Sequence, residues 1–418
     1  MRKSLPFLVA LAALLIVPMA QAGPGLVVGV NDDSPKWKAD PVLAAAAADL
    51  GISAYRLTMG WDGSQTSLSG ADRAMLDRAT RNIHGQRVLL SVFGTPDSAP
   101  HSDAARTAYC AYVGAILSSY PTIRTIGIWN EVNKASFWRP QYDGSKSVAP
   151  TEYVKLLAAC SSLRSAFPNV VLVSSLSPRG NDNPRAVSNV SHSPVKFIAG
   201  MGTAVRGLAL QGRIFDHFGQ NVYGSSSSER PFRTHPHNTD ITQGDYAKLM
   251  SALTSAFGGT AQPVPGTQGV TIWYLETGFQ TTIPNEKRSL YSGAENDAHP
   301  LAPVMPGPDP GRSDGASAGW DQATQLANAI RLASCQPAVG AFFNFQLADE
   351  SNLAGWQSGV LWADGTPKPS YAAVKAAIAQ VNGGTVDCAA INSLVTTFGQ
   401  TSFSGKGKGR KTAGWQSH

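Results

Sequence analysis

The sequence predicts an eight-stranded (β/α)8 barrel, and three observations predict it. Eight short, β-branched runs alternate with eight longer amphipathic ones, which is the pattern of parallel strands joined by helices. Two of the apolar runs end in Glu: Ile126-Gly127-Ile128-Trp129-Asn130-Glu131 and, 145 residues on, Thr271-Ile272-Trp273-Tyr274-Leu275-Glu276. Each reads as a buried strand that delivers a carboxylate at its C-terminal end, the end where such barrels carry their chemistry. The first strand is followed by Asn31-Asp32-Asp33-Ser34 instead of a glycine-rich phosphate turn, which counts against the rival open, doubly wound sheet.

In chain order, the first strand is expected at Leu26 to Asn31 and its helix at Pro41 to Asp49; Ala54 to Met59 is followed by Ala71 to Asn82. Arg87 to Phe93 precedes a helix from Ser102 to Ser118, and Ile123 to Asn130 precedes one from Thr151 to Ala166. The second half continues with Val170 to Ser175 and Pro194 to Arg206, then Phe215 to Tyr223 and Gly244 to Phe257. Thr271 to Glu276 leads to Trp320 to Ala333, and Gly340 to Gln346 leads to Ser370 to Val381. The longest insertion, 281–318, is rich in Pro, Gly and polar residues and follows the seventh strand, so it belongs to the catalytic face. Ser225 to Thr239 rims the same face after the sixth strand.

The 418 residues hold this barrel with little to spare. Residues 1–22 read as a secretory signal: Arg2 and Lys3, an apolar core from Leu8 to Met19, then Ala20-Gln21-Ala22. That core is short for a membrane span, and no later stretch reaches about 18 apolar residues. The barrel is expected over 23–390 and a C-terminal extension over 391–418. Of the six excess positive charges, two lie on Arg2 and Lys3 and four on Lys406, Lys408, Arg410 and Lys411 in a Gly/Ser-rich tail. The body is therefore formally neutral despite a pI near 9.1, which argues against nucleic acid as a partner. Four cysteines in an exported chain suggest two disulfides, Cys110 with Cys160 and Cys335 with Cys388 being the favoured pairs. Their spacing does not suit zinc.

At Trp129-Asn130-Glu131 and Trp273-Tyr274-Leu275-Glu276-Thr277-Gly278 the chain resembles the retaining glycoside hydrolases of clan A. The wording Trp-Asn-Glu-Val-Asn and the length look most like glycoside hydrolase family 39 and its diverged relatives. The resemblance implies Glu131 as general acid and base and Glu276 as nucleophile, with no cofactor. It implies Arg56, in Tyr55-Arg56-Leu57, as the cation beside Glu276, and Asn130 as the group that binds the sugar's 2-hydroxyl. On the sixth strand, Tyr223 matches the clan's Tyr that donates to the nucleophile, while Asn221 stands where the clan has His. In the eighth strand Phe343-Asn344-Phe345-Gln346 replaces the usual sugar-stacking Trp, leaving Phe345, Trp356 or Trp362 as the platform. Gly359-Val360-Leu361-Trp362-Ala363-Asp364-Gly365-Thr366-Pro367-Lys368-Pro369 is similar to the closing segment of these barrels. The division of labour is also what the chemistry asks: one carboxyl kept protonated for the leaving oxygen, one ionised to attack.

Trp61 and Trp138, just after the second and fourth strands, are candidate sugar subsites. Asp32, Asp33 and Trp37 line a subsite or form an ordinary solvated loop. His235-Pro236-His237 is a plain exposed loop before it is a metal pair, so no metal is expected. His217 is expected to point away from the barrel interior, and one of Trp129 and Trp273 to serve packing, because they precede their Glu residues by different offsets. The expectation is thus a secreted or periplasmic glycosidase acting on oligo- or polysaccharides. The alternatives are a transglycosylase using the same residues and a catalytically silent carbohydrate-binding barrel.

Overall fold

All eight expected strands form, and they close on one another. A computed structural model describes residues 25–295, 301–302, 304 and 321–399. The expected signal segment, the later part of the 281–318 loop and the basic tail lie outside the described residues. Strands β1 (Val27–Asn31), β2 (Ala54–Gly60), β3 (Arg87–Phe93), β4 (Thr125–Ile128), β5 (Val171–Val173), β6 (His217–Asn221), β7 (Thr271–Thr277) and β8 (Val339–Asn344) pair in parallel in chain order, and β8 pairs with β1. The helices between them are α1 (Pro41–Leu50), α2 (Gly70–Asn82), α3 (Asp103–Ser119), α4 (Ala149–Ser161), α5 (Pro194–Gly207), α6 (Tyr246–Phe257), α7 (Gln322–Ser334) and α8 (Ser370–Asn382). Asp40, Ser69, Ser102, Ser193 and Asp321 cap helix N-termini by accepting from amides of the first turn, which fixes where these helices begin.

Strands β4, β5 and β6 are shorter than their apolar runs. The runs continue past the ladder as irregular but buried chain at the C-terminal end of the strands: Trp129, Ser174, Ser175 and Val222 are all covered.

Two hydrophobic layers hold the fold. The outward faces of the strands and the inner faces of the helices form the larger one, including Leu57, Leu90, Ile126, Leu172, Phe218, Ile272 and Phe342. The inside of the barrel is filled by Val27, Ala54, Leu89, Val173, Trp273, Leu275, Ala341 and Phe343. Large rings fit there because small residues face them. A Cβ at Gly29 would sit 2.6 Å from the Phe343 ring, and one at Gly219 would sit 2.5 Å from Leu275.

His217 corrects an expectation. It lies inside the barrel, stacked on Trp273 with ring centroids 4.5 Å apart and planes 13° from parallel. It shares its strand face with Gly219 and Asn221, and the alternation of β6 carries all three inward. Burial lowers its pKa to about 4, so the ring is neutral as it stacks, with Nδ1 2.8 Å from Thr271 Oγ1.

Disulfides join Cys110 on α3 to Cys160 on α4 and Cys335, at the end of α7, to Cys388. The second opens a further helix, α9 (Cys388–Phe398), whose Ile391 packs with Phe232, Leu332 and Cys335. A domain boundary at 390 would thus fall inside a docked helix. No helix among the described residues is long and apolar enough to cross a membrane. Cys110 and Cys160 are 50 residues apart, so replacing both by Ala is expected to cost about 2–4 kcal/mol by releasing unfolded-chain entropy. Urea unfolding monitored by tryptophan fluorescence measures the loss.

Candidate active site

Strict alternation along β7 would defeat the site. Trp273 and Leu275 both fill the barrel interior, so Glu276 should face outward. The ladder breaks at that point: Tyr274 pairs with Gln220 but Glu276 with Asn221 on one side, and Tyr274 with Phe342 but Thr277 with Asn344 on the other. This one-residue bulge turns Glu276 back to the inner face. There Arg56 Nη1 lies 2.5 Å from its Oε1 and the Tyr223 hydroxyl donates to its Oε2 at 3.2 Å.

Arg56 is 1% exposed and spends its other donors on the neighbouring strands. Nε donates to Ser91 Oγ at 2.9 Å and Nη2 to Asn130 Oδ1 at 3.0 Å. Asn31, in the amide orientation that satisfies both groups, accepts from Nη1 at 2.9 Å. Ser175 Oγ also donates to Asn130 Oδ1, at 3.1 Å, so the Asn130 oxygen is fully engaged.

Glu131 arrives by a different device. It stands three residues past the end of β4, in a turn where Trp129 has φ 67° and Glu131 φ 37°. Left-handed backbone at non-glycine residues costs on the order of 1–3 kcal/mol each and persists only where packing over-determines it. The packing is aromatic: the Trp129 ring meets Trp138 at 5.4 Å, Tyr109 at 5.9 Å and Trp61 at 6.3 Å, and its Nε1 donates to the Phe137 carbonyl at 2.7 Å. Trp61 and Trp138 are therefore buried supports of the turn with no face open to a sugar, which corrects their expected role as subsites. The Glu131 carboxylate is held by Asn221 Nδ2 on Oε1 at 2.9 Å and by Lys134 Nζ on Oε2 at 2.8 Å.

Burial raises the pKa of Glu276 above its ordinary value; Arg56 works against that shift and the charge of Glu131 adds to it. The two carboxyls therefore sense each other. A neutral Glu276 would leave the buried Arg56 guanidinium without its counter-charge. Glu276 accordingly stands as the ionised partner. Burial, reinforced by the charge of Glu276, pushes the Tyr223 phenol well up, so it stays a donor.

Tyr223, Phe345 and Trp356 form an aromatic wall beside Glu276, with centroids 5.5 Å apart for Tyr223 and Trp356 and 5.1 Å for Phe345 and Trp356. Phe345 and Trp356 are half-buried, whereas Trp362 is buried under Lys368 Nζ at 4.8 Å. The acids after β1 have structural occupations. Asp32 is buried and accepts from the Leu347 and Ala348 amides, and Asp33 accepts from the Thr58 amide and pairs with Lys36 at 2.9 Å. Trp37, the third residue named there, is 60% exposed at the end of a one-turn helix. His235 lies 2.8 Å from Asp245 and 3.5 Å from Glu229, so both ring nitrogens are committed to carboxylates. Ser91, Ser175, Asn31 and Lys134 were missed in the sequence. The first three are polar residues at inward positions of apolar strands or just past them, a signal that alternation could have exposed; Lys134 carries none.

No family model and no curated protein sequence matches this chain. Among solved structures, a family 39 glycoside hydrolase from Bacteroides cellulosilyticus superposes with a TM-score of 0.55 at 14% identity, covering 85% of this chain and 64% of that one. A family 5 glycoside hydrolase from Streptomyces cattleya, a variant solved with Manβ1-4GlcNAc, superposes with a TM-score of 0.50 at 14% identity, covering 85% and 80%. The chain has the (β/α)8 fold of glycoside hydrolases. It spans a little under two thirds of the length of the family 39 enzyme.

Burial opposes the proton on His235, but hydrogen bonds to Asp245 and Glu229 outweigh it and raise the pKa to about 9 from 6.5. Its stabilising contribution is complete below about pH 6.5 and is lost as the pH rises through 9. Unfolding free energy should therefore fall across that window, and His235→Gln should flatten the fall in a pH series of urea titrations.

Proposed function

We propose that the protein is a retaining glycoside hydrolase that cleaves oligo- or polysaccharides by double displacement. The observation that carries this reading is Glu276, clamped between Arg56 and Tyr223, within electrostatic reach of a second carboxyl, Glu131, from another strand end. In the first step Glu276 attacks the anomeric carbon while Glu131 gives its proton to the glycosidic oxygen; the bond to the leaving sugar breaks and a glycosyl ester forms on Glu276. In the second step Glu131 takes a proton from water, whose oxygen displaces Glu276 and frees the sugar.

The neighbouring residues take their roles from their contacts. Arg56 and Tyr223 hold and discharge the nucleophile. Asn130 has its oxygen engaged and no hydrogen bond from Nδ2 among the described residues, so that nitrogen is the donor for the sugar's 2-hydroxyl. Asn221 fixes Glu131 with an amide that does not titrate, where the clan has an imidazole. Phe345 and Trp356 supply a stacking surface. The two disulfides support export to the periplasm or cell exterior after loss of residues 1–22. A transglycosylase would use the same residues with a drier cleft.

Glu276→Gln should reduce turnover of aryl glycosides and oligosaccharides to background. Glu131→Gln should cost about 10²–10⁴-fold on poor leaving groups and much less on activated ones. Proton NMR of the first-formed product should show retained anomeric configuration; inversion, or turnover unaffected in both variants, defeats the reading. If nothing is turned over yet oligosaccharides bind wild type and both variants equally, the silent binding barrel is the better account. Tyr223→Phe removes a hydrogen bond to a charged group, and a loss of about 10- to 100-fold in kcat is expected from steady-state kinetics.

A further inference from the structure

Among the described residues, the cations around the two carboxyls are shared among several partners, with Lys134 as the exception. Arg56 serves Glu276, Asn130 and Ser91. Arg179, close enough for its charge to bear on Glu131, donates to the Tyr223 carbonyl at 2.9 Å and faces Asp240 at 3.6 Å. Lys134 has Glu131 alone: Nζ lies 2.8 Å from Oε2, and among the described residues no other carboxylate is within 4.0 Å of it. Its side chain is only 14% exposed and that of Glu131 7%, so water does little for either charge.

This pairing conflicts with the chemistry proposed above. The first displacement needs a proton on Glu131, and that proton cancels the one counter-charge Lys134 possesses. A nearly buried ammonium without an anion is costly. Asn221 holds Oε1, so the conflict falls on Oε2, the oxygen that Lys134 covers. It is relieved if an incoming ligand supplies a second anion, because the flexible stem of a lysine lets its ammonium move from one anion to another, and a point charge makes no demand on their shape.

We propose that Lys134 marks a binding site for an anionic group, a carboxylate or a sulfate ester, carried by the sugar on the leaving-group side of the scissile bond. The side follows from the hydrolase reading, on which this inference rests: Glu131 protonates the oxygen of the departing sugar, so that sugar is the one brought next to Lys134. The anion takes over Lys134, and Oε2 of Glu131 is released to carry a proton taken up from solvent and passed to the glycosidic oxygen. Neutral glycans lack this relief and are the poorer substrates.

The probes are β-linked oligosaccharides with a uronic acid at the reducing end, their carboxyl-reduced neutral counterparts, and the same neutral sugars bearing a 6-sulfate on that residue. Binding is measured by titration calorimetry with wild type, Lys134→Met and Lys134→Arg at low and high salt, and turnover is followed separately. Wild type should bind an acidic member about tenfold or more tighter than its neutral partner. The preference should weaken with salt, vanish in Lys134→Met as acidic binding falls to the level of the neutral partner, and persist in Lys134→Arg. The carboxylate and sulfate arms show which anion the site takes. No preference in wild type, including no binding of any probe, overturns the proposal. So does an equal loss of acidic and neutral ligands in Lys134→Met, the result expected if the lysine only braces the turn. Preferential binding without turnover would keep the anion site and refute the hydrolase, and turnover without preference would do the reverse.

Discussion

Arg56 sets a guanidinium where there is almost no access to water, and much of the C-terminal face of the barrel is arranged around it. Its guanidinium gathers Asn31 from β1, Ser91 from β3, Asn130 past β4 and Glu276 from β7. Half the circumference of the barrel is thus referred to one planar group with a fixed fork of donors. Its planarity fixes directions as well as distances, which sets where the Glu276 carboxylate can lie. A lysine there would supply the charge without that geometry.

The two carboxyls reach the cleft through unlike distortions. Glu276 stays in its strand and is turned inward by an extra residue in β7, so its position inherits the stiffness of the ladder on both sides. Glu131 stands beyond its strand on left-handed backbone, and its position depends on the rings of Trp129, Trp138, Tyr109 and Trp61 behind it. On the proposed reaction, the rigid mounting falls to the group that attacks carbon and the turn to the group that passes a proton.

Much of this was legible in the sequence, for stated reasons. The period of the apolar runs reflects burial, so it located all eight strands, and Arg56 stood out because an isolated charge in an apolar strand must find a partner. The ring closure and both disulfides also agree with the reading of the chain. What could not be read has a common cause. Whether a tryptophan after a strand faces a sugar or a neighbour depends on tertiary packing, and Trp61 and Trp138 face neighbours. The bulge at Leu275 and Glu276 appears only when β7 is laid against β6 and β8. The face of His217 is decided by its register with Gly219 and Asn221, which turns all three inward. Lys134, in an ordinary polar turn, becomes notable only beside Glu131.

Asp32 has a consequence for how the molecule assembles. Its carboxylate accepts from the amides of Leu347 and Ala348, more than 300 residues downstream, and β1 pairs with β8 beside that bond. β1 therefore keeps one edge unpaired until β8 is in place. Pairing across such a span is entropically slow, and an open strand edge invites association with other chains while it waits. The burial of Val27 and Val28 is complete only once β8 has arrived, so the N-terminal strands have no independent folded existence, and a chain stopped short of Ala348 is an aggregation hazard rather than a smaller barrel.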